Sequence, residues 1–193
     1  MTEDDDGGGA VATTETAARA EQFKQNALEW DAAWKERNFD RMLSIYADDV
    51  RWEDSQIPRP LSGKAELRAY FEAMLRAFPD IEIDQSHLFE PLDGDPSVYA
   101  SEWHLRGTFR TAFELPGITS ARIAPTGDRV DMTGTVVITV GDDGRATHVR
   151  QYGDAMAFQR QIGAMPAEGS TGERIMQWLQ AMGAKRRMKR NGG

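Results

Sequence analysis

The sequence predicts an α+β fold in which N-terminal helices pack on one face of a curved antiparallel sheet. Three observations predict it. Apolar residues recur at intervals of three and four through residues 18–78, alternating and β-branched runs dominate residues 81–152, and a Gly- and Asp-rich turn joins the last two runs. With 193 residues, 40% of them hydrophobic, and five Trp and eight Phe, there is material for one core with tails, which excludes wholesale disorder.

The elements follow in order. Residues 1–18 carry four acids at Glu3–Asp6 among Gly, Thr and Ala without sustained periodicity, and are expected to form a disordered acidic tail ahead of a domain over 19–165. Phe23, Ala27, Trp30 and Trp34 mark one face of a first helix ending near Arg37. Asn38 has the chemistry of an N-cap for a short second helix through Tyr46, which Asp48 and Asp49 stop. Residues 50–54 then read as a short strand. Pro58 and Pro60 interrupt regular structure, and Ser62 is positioned to cap a third helix with the apolar face Leu67, Tyr70, Phe71, Met74, Leu75 and Phe78.

Three strands are expected next, over 81–89, 98–109 and 129–140, with the excursion from Phe113 to Ile123 forming a lid or rim loop. Gly141-Asp142-Asp143-Gly144 turns the chain into a last strand over 145–152, and Asp154 opens a short amphipathic turn through Met156, Phe158 and Ile162. Residues 166–193 read as a linker and a helix whose stripe of Ile175, Met176, Trp178, Leu179 and Met182 runs into five bases between Lys185 and Arg190. That helix is either an ordinary terminal helix with cations at its negative dipole end or a surface that docks on a membrane or partner.

Charge and composition narrow the chemistry. The net charge is −8, and without the two charged ends the body still holds 27 acids against 18 bases, which argues against nucleic acid as a partner. The absence of Cys excludes disulfides and thiol catalysis. Three scattered His without ligand spacing give no metal signal, and no phosphate loop implies a nucleotide, so no cofactor is expected. His87 and His148 read as surface or structural histidines. With no transmembrane stretch and no signal-peptide pattern, the expectation is a cytoplasmic protein.

Two blocks of residues carry a resemblance. Tyr46-Ala-Asp-Asp-Val-Arg-Trp-Glu-Asp54, then Pro60-Leu-Ser-Gly63 and a helix with Leu67 and Tyr70, resemble the nuclear-transport-factor-2-like superfamily. Gly107-Thr108, Pro125-Thr-Gly127, Asp143-Gly144-Arg145 and Gln151-Tyr152-Gly153-Asp154 running into Arg160-Gln-Ile-Gly163 are similar to the SnoaL-like polyketide cyclases, relatives of ketosteroid isomerases and limonene epoxide hydrolases. The resemblance implies a cystatin-like conical barrel with helices on the concave face, a deep apolar pocket and a homodimer. It also implies an acid-base enzyme, of isomerase, cyclase, dehydratase or epoxide hydrolase type, acting on a small hydrophobic polyketide-, steroid- or terpenoid-like molecule. A non-catalytic module binding a small ligand or a protein is the alternative.

Candidate residues follow from the same resemblance. Asp54 lies where ketosteroid isomerases carry their general base, and a carboxylate in an apolar pocket has its pKa raised toward neutrality. Trp30 replaces the oxyanion-binding Tyr of those isomerases, Thr135 or Val136 their Asp, and Gln151 stands where related enzymes carry a last-strand Asp. Asp154 reads as an N-cap. Glu102 and His104 fall where limonene epoxide hydrolases carry an Arg and an Asp; facing inward, His104 would be the proton partner of Asp54 and Glu102 would orient substrate. Periodicity alone instead puts Tyr99, Trp103 and Leu105 on the core face of that strand. Trp30, Trp52, Tyr70 and Gln151 complete the expected substrate-binding set.

Overall fold

A computed structural model describes residues 7–88, 95 and 97–191, with side chains over 17–85, 95 and 97–188. The first six residues of the expected acidic tail, Phe89 at the end of one expected strand, and the side chain of His87 lie outside them.

Helix α1 spans Gly7–Lys35, beginning well before Ala18, where alanines extend the helical run. Trp30 and Trp34 stack at 5.3 Å on its inner face and meet Phe71 edge-on. Asn38 accepts a hydrogen bond from the Arg41 amide at 3.1 Å and so caps α2, Phe39–Ser44. Strand β1, Tyr46–Asp54, starts four residues earlier than the sequence suggests. Asp48 and Asp49 sit in this strand as exposed residues, because Tyr46 packs inward against Trp52 instead of ending a helix.

Ser62 in the two-residue strand β2, Leu61–Ser62, precedes α3, Gly63–Ala77, yet its hydroxyl makes no capping bond. Glu66 takes over, accepting from the Ser62 amide at 2.9 Å. The apolar face of α3, from Leu67 to Ala77, then lies on the sheet.

Strands β3 (Glu82–Leu88), β4 (Val98–Thr108), β7 (Arg129–Val140) and β8 (Ala146–Gly153) form the body of a six-stranded sheet ordered β2-β1-β8-β7-β4-β3. Between β4 and β7 the short strands β5, Phe113–Glu114, and β6, Arg122–Ile123, pair as a separate hairpin. The sheet is antiparallel except where β1 lies parallel to β8, a pairing open to them because nearly the whole domain connects them. Gly144, at φ +73, supplies the left-handed residue of the turn before β8.

Asp154 caps α4, Ala155–Gln161, through the Ala157 amide at 2.9 Å. Helix α5, Thr171–Asn191, is fixed at its start by Glu173, which meets Arg160 at 3.3 Å and accepts from the Gly169 amide at 2.6 Å. Beyond that point Ile175, Trp178 and Leu179 are exposed. Among the described residues no helix is long and apolar enough to cross a membrane.

Candidate active site

The helices and the sheet do not close completely on one another. They leave a cavity of about 120 Å³, lined chiefly by aromatic and aliphatic side chains from both layers. Trp30 and Trp34 come from α1, Tyr70 and Phe71 from α3, Trp52 from β1 and Trp103 from β4. Phe113 and Ile123 of the β5–β6 hairpin and Phe158 of α4 complete it at the rim.

Strand alternation brings the polar group in. Val50, Trp52 and Asp54 project to the same face of β1, so a carboxylate ends the row of side chains that builds the core. One carboxylate oxygen, Oδ2, accepts the Tyr70 hydroxyl at 3.0 Å; the other, Oδ1, accepts the Gln56 amide at 2.8 Å. Burial raises the Asp54 pKa above the ordinary Asp value, and these two donors only partly offset it. Burial likewise pushes the Tyr70 phenol up, with the Asp54 charge adding to the effect. Tyr70 therefore stays protonated and donates.

Gln151 lies beside Asp54 in the parallel β1–β8 register and also lines the cavity. Its Oε1 is buried without a hydrogen-bond partner, as are the indole Nε1 atoms of Trp52 and Trp103. Buried polar atoms of this kind are costly unless something satisfies them. Here all three belong to residues that line the pocket.

The structure thus gathers Asp54, Tyr70, Trp30, Trp52 and Gln151 around one cavity, and corrects the expectation for Glu102 and His104. Both project from the outer face of β4, where Glu102 is exposed and His104 Nε2 lies 2.6 Å from Asp131 Oδ1. The face is decided by Trp103 and Leu105, whose bulk belongs in the core. His104 therefore does not face Asp54, whose side-chain hydrogen-bond donor is the Tyr70 hydroxyl. Among the described residues no group of three His, Cys, Asp or Glu is arranged to hold a metal ion.

Trp103, on the core face of β4 by periodicity, also lines the pocket. Its indole lies over Gly134 and Gly153, which are paired across β7 and β8. A Cβ at Gly134 would come within 2.1 Å of the Trp103 ring, and one at Gly153 within 3.2 Å. A glycine inside β7, where glycine is otherwise unfavourable, and another ending β8 are the sequence signal that something large lies flat there.

Comparison with known proteins agrees with this architecture. No curated protein is a significant match in sequence. The structure superposes with a TM-score of 0.61 on a proposed SnoaL-like polyketide cyclase from Jannaschia sp. CCS1, at 19% identity over 76% of this chain and 94% of that one. It superposes with a TM-score of 0.59 on AclR, a proposed hydroxylase from Streptomyces galilaeus, at 19% identity over 87% of this chain and 97% of that one. A Mycobacterium tuberculosis protein in complex with estradiol-17beta-hemisuccinate gives 0.52, at 17% identity over 68% and 92%. At these identities the likeness speaks for the fold. Residues 27–149, from the middle of α1 into β8 and including Trp30, Asp54 and Tyr70, match the SnoaL-like domain, and the chain belongs to that family.

Proposed function

We propose that the protein is a cofactor-independent acid-base enzyme acting on a small hydrophobic molecule of polyketide, steroid or terpenoid type. One observation carries the reading: Asp54 ends in an aromatic pocket with a raised pKa, and each of its oxygens is held by one donor. A carboxylate so placed removes a proton from a carbon acid beside a carbonyl, or from a water attacking an epoxide, and returns it to the product. Tyr70 fixes its orientation. Indole N–H groups of the pocket, those of Trp34, Trp52 and Trp103 among them, are candidate donors to a developing oxyanion, and Gln151 orients the substrate or a water.

In isomerisation the proton moves from one carbon of the substrate to Asp54 and back to another. In epoxide opening water is the co-substrate, its oxygen forming the new C–O bond as the ring C–O bond breaks, and Asp54 passes its proton to the alkoxide released. A cavity of 120 Å³ is comparable to one that holds a benzene-sized molecule, which favours a compact ring or a short chain within the enclosed part. The same proposal includes a homodimer, checked by sedimentation, and a cytoplasmic location.

The test is a screen of enones, epoxides and poly-β-ketones with the wild type and Asp54→Asn. Loss of at least about a hundredfold in kcat for any turned-over substrate is expected, with binding retained. Turnover unaffected by the substitution would overturn the assignment. A second reading, ligand binding without catalysis, draws on Gln151, an amide beside Asp54 that carries no titratable proton. It predicts tight binding of pocket ligands with none of these compounds converted.

A further inference from the structure

The wall formed by Asp54, Ile57 and Gln151 faces two spaces. On one side is the aromatic pocket, and on the other an open cleft of about 350 Å³ between the 55–60 loop and the end of β8. Strand alternation explains why the two differ. Asp54 and Gln151 are register neighbours on the pocket side, and the preceding pair, Glu53 and Arg150, belongs to the opposite face of the same strands.

Three guanidinium groups border the cleft, from Arg51, Arg59 and Arg150. Two are already engaged. Arg51 Nε donates to Glu53 Oε1 at 2.7 Å, and Arg59 holds both oxygens of Glu66 at 2.7 and 2.8 Å. Glu53 is further engaged by His148 at 3.2 Å. Arg150 differs from both. It makes no ion pair among the described residues, and its Nε is buried without a hydrogen-bond partner. The planar fork of a guanidinium matches a carboxylate with two parallel hydrogen bonds. With Glu53 and Glu66 occupied by the other two guanidinium groups, Arg150 is the guanidinium of the cleft without an ion-pair partner among the described residues.

We propose that this cleft is an anion subsite, in which Arg150 receives the carboxylate of an amphiphilic ligand whose apolar body lies in the aromatic pocket behind Asp54. The inference rests on the reading of that pocket as a ligand site. It adds a substrate class: a compact hydrophobic body carrying an acid on a short chain. It also gives Asp54 a position between the anchored acid and the reacting carbon.

The experiment compares 4-phenylbutyrate with its neutral isostere 4-phenylbutanamide, titrated into the full chain and followed by tryptophan fluorescence, in wild type, Arg150→Gln and Arg150→Lys. Wild type is expected to bind the acid about tenfold or more tightly than the amide. In Arg150→Gln that preference disappears while the affinity for the amide is unchanged, which also shows that the variant is folded. Arg150→Lys keeps part of the preference. Equal binding of acid and amide by wild type would overturn the subsite and leave the pocket standing. So would a preference that survives Arg150→Gln, with or without a change in oligomeric state. Binding of neither compound would overturn the pocket reading and the subsite with it.

Discussion

A carboxylate surrounded by indole and phenol rings keeps its proton at a pH where an exposed one has lost it, and Asp54 is such a group. Its folded-state pKa is raised, so the folded chain binds more protons than the unfolded one between the unfolded Asp value of about 3.9 and the raised value. Stability contributed by this residue is therefore greatest below about pH 4 and declines as pH rises through that window. Asp54→Asn removes the penalty. The variant should melt at a higher temperature than wild type at pH 7, with the difference vanishing below about pH 4, as measured by calorimetry across pH. Tyr70→Phe should act in the opposite sense, costing about 1 kcal/mol through the lost hydrogen bond and raising the Asp54 pKa further, readable by carboxylate NMR.

At the scale of elements, the pocket depends on backbones that approach closely and loops that are pinned. In β7, Gly134→Ala would drive Trp103 off its seat, because the added Cβ meets both the indole and the Tyr152 carbonyl. Overpacking of this kind typically costs about 1–3 kcal/mol. A fall in denaturation midpoint should accompany weaker binding of pocket ligands, and unchanged binding would show that Trp103 does not shape the site. Arg59 and Glu66 tie the 55–60 loop to α3, and Arg59 also reaches the Gly117 carbonyl of the β5–β6 hairpin at 3.4 Å. Arg59 and the Ser62 amide pull the Glu66 pKa down to about 2. Stability from this depressed pKa is complete above the unfolded Glu value and lost as pH falls toward 2. Glu66→Gln should flatten that acid limb of the stability curve, again by calorimetry.

For the whole molecule, the SnoaL-like domain and α5 differ in how apolar surface is disposed. Trp30, Trp34, Trp52 and Trp103 are each no more than 6% exposed, and Trp178 on α5 is 61% exposed. Acrylamide should therefore quench a single fraction of the fluorescence readily, and Trp178→Phe should remove that fraction. Quenching that persists in the variant would mean that the domain opens more freely than its packing implies. Because α5 is held at its start through Glu173, Arg160 and Gly169, deleting residues 171–193 should shift the melting temperature of the domain by only a few degrees.

The sequence by itself determined the class of fold and most of its elements. Helical spacing of Phe23, Ala27, Trp30 and Trp34, the caps at Asn38 and Asp154, and the turn at Gly141–Gly144 are local signals with local causes. Alternation placed Trp52 and Asp54 on one face, and resemblance brought Asp54 and Tyr70 into consideration. Tertiary structure decided the rest. On β4 the alternation of Tyr99, Trp103 and Leu105 already pointed Trp103 inward and His104 outward, against the roles that the resemblance implied for Glu102 and His104. That the buried face also lines a cavity is decided by the helices that cover it. The extension of β1 back to Tyr46 needed β8 beside it, some hundred residues later. The bond between Tyr70 and Asp54 required α3 to lie across β1, and the unpaired Arg150 emerged only once its neighbours had taken their own partners. Periodicity records which faces are apolar; which charged and polar groups meet depends on how those faces close on one another.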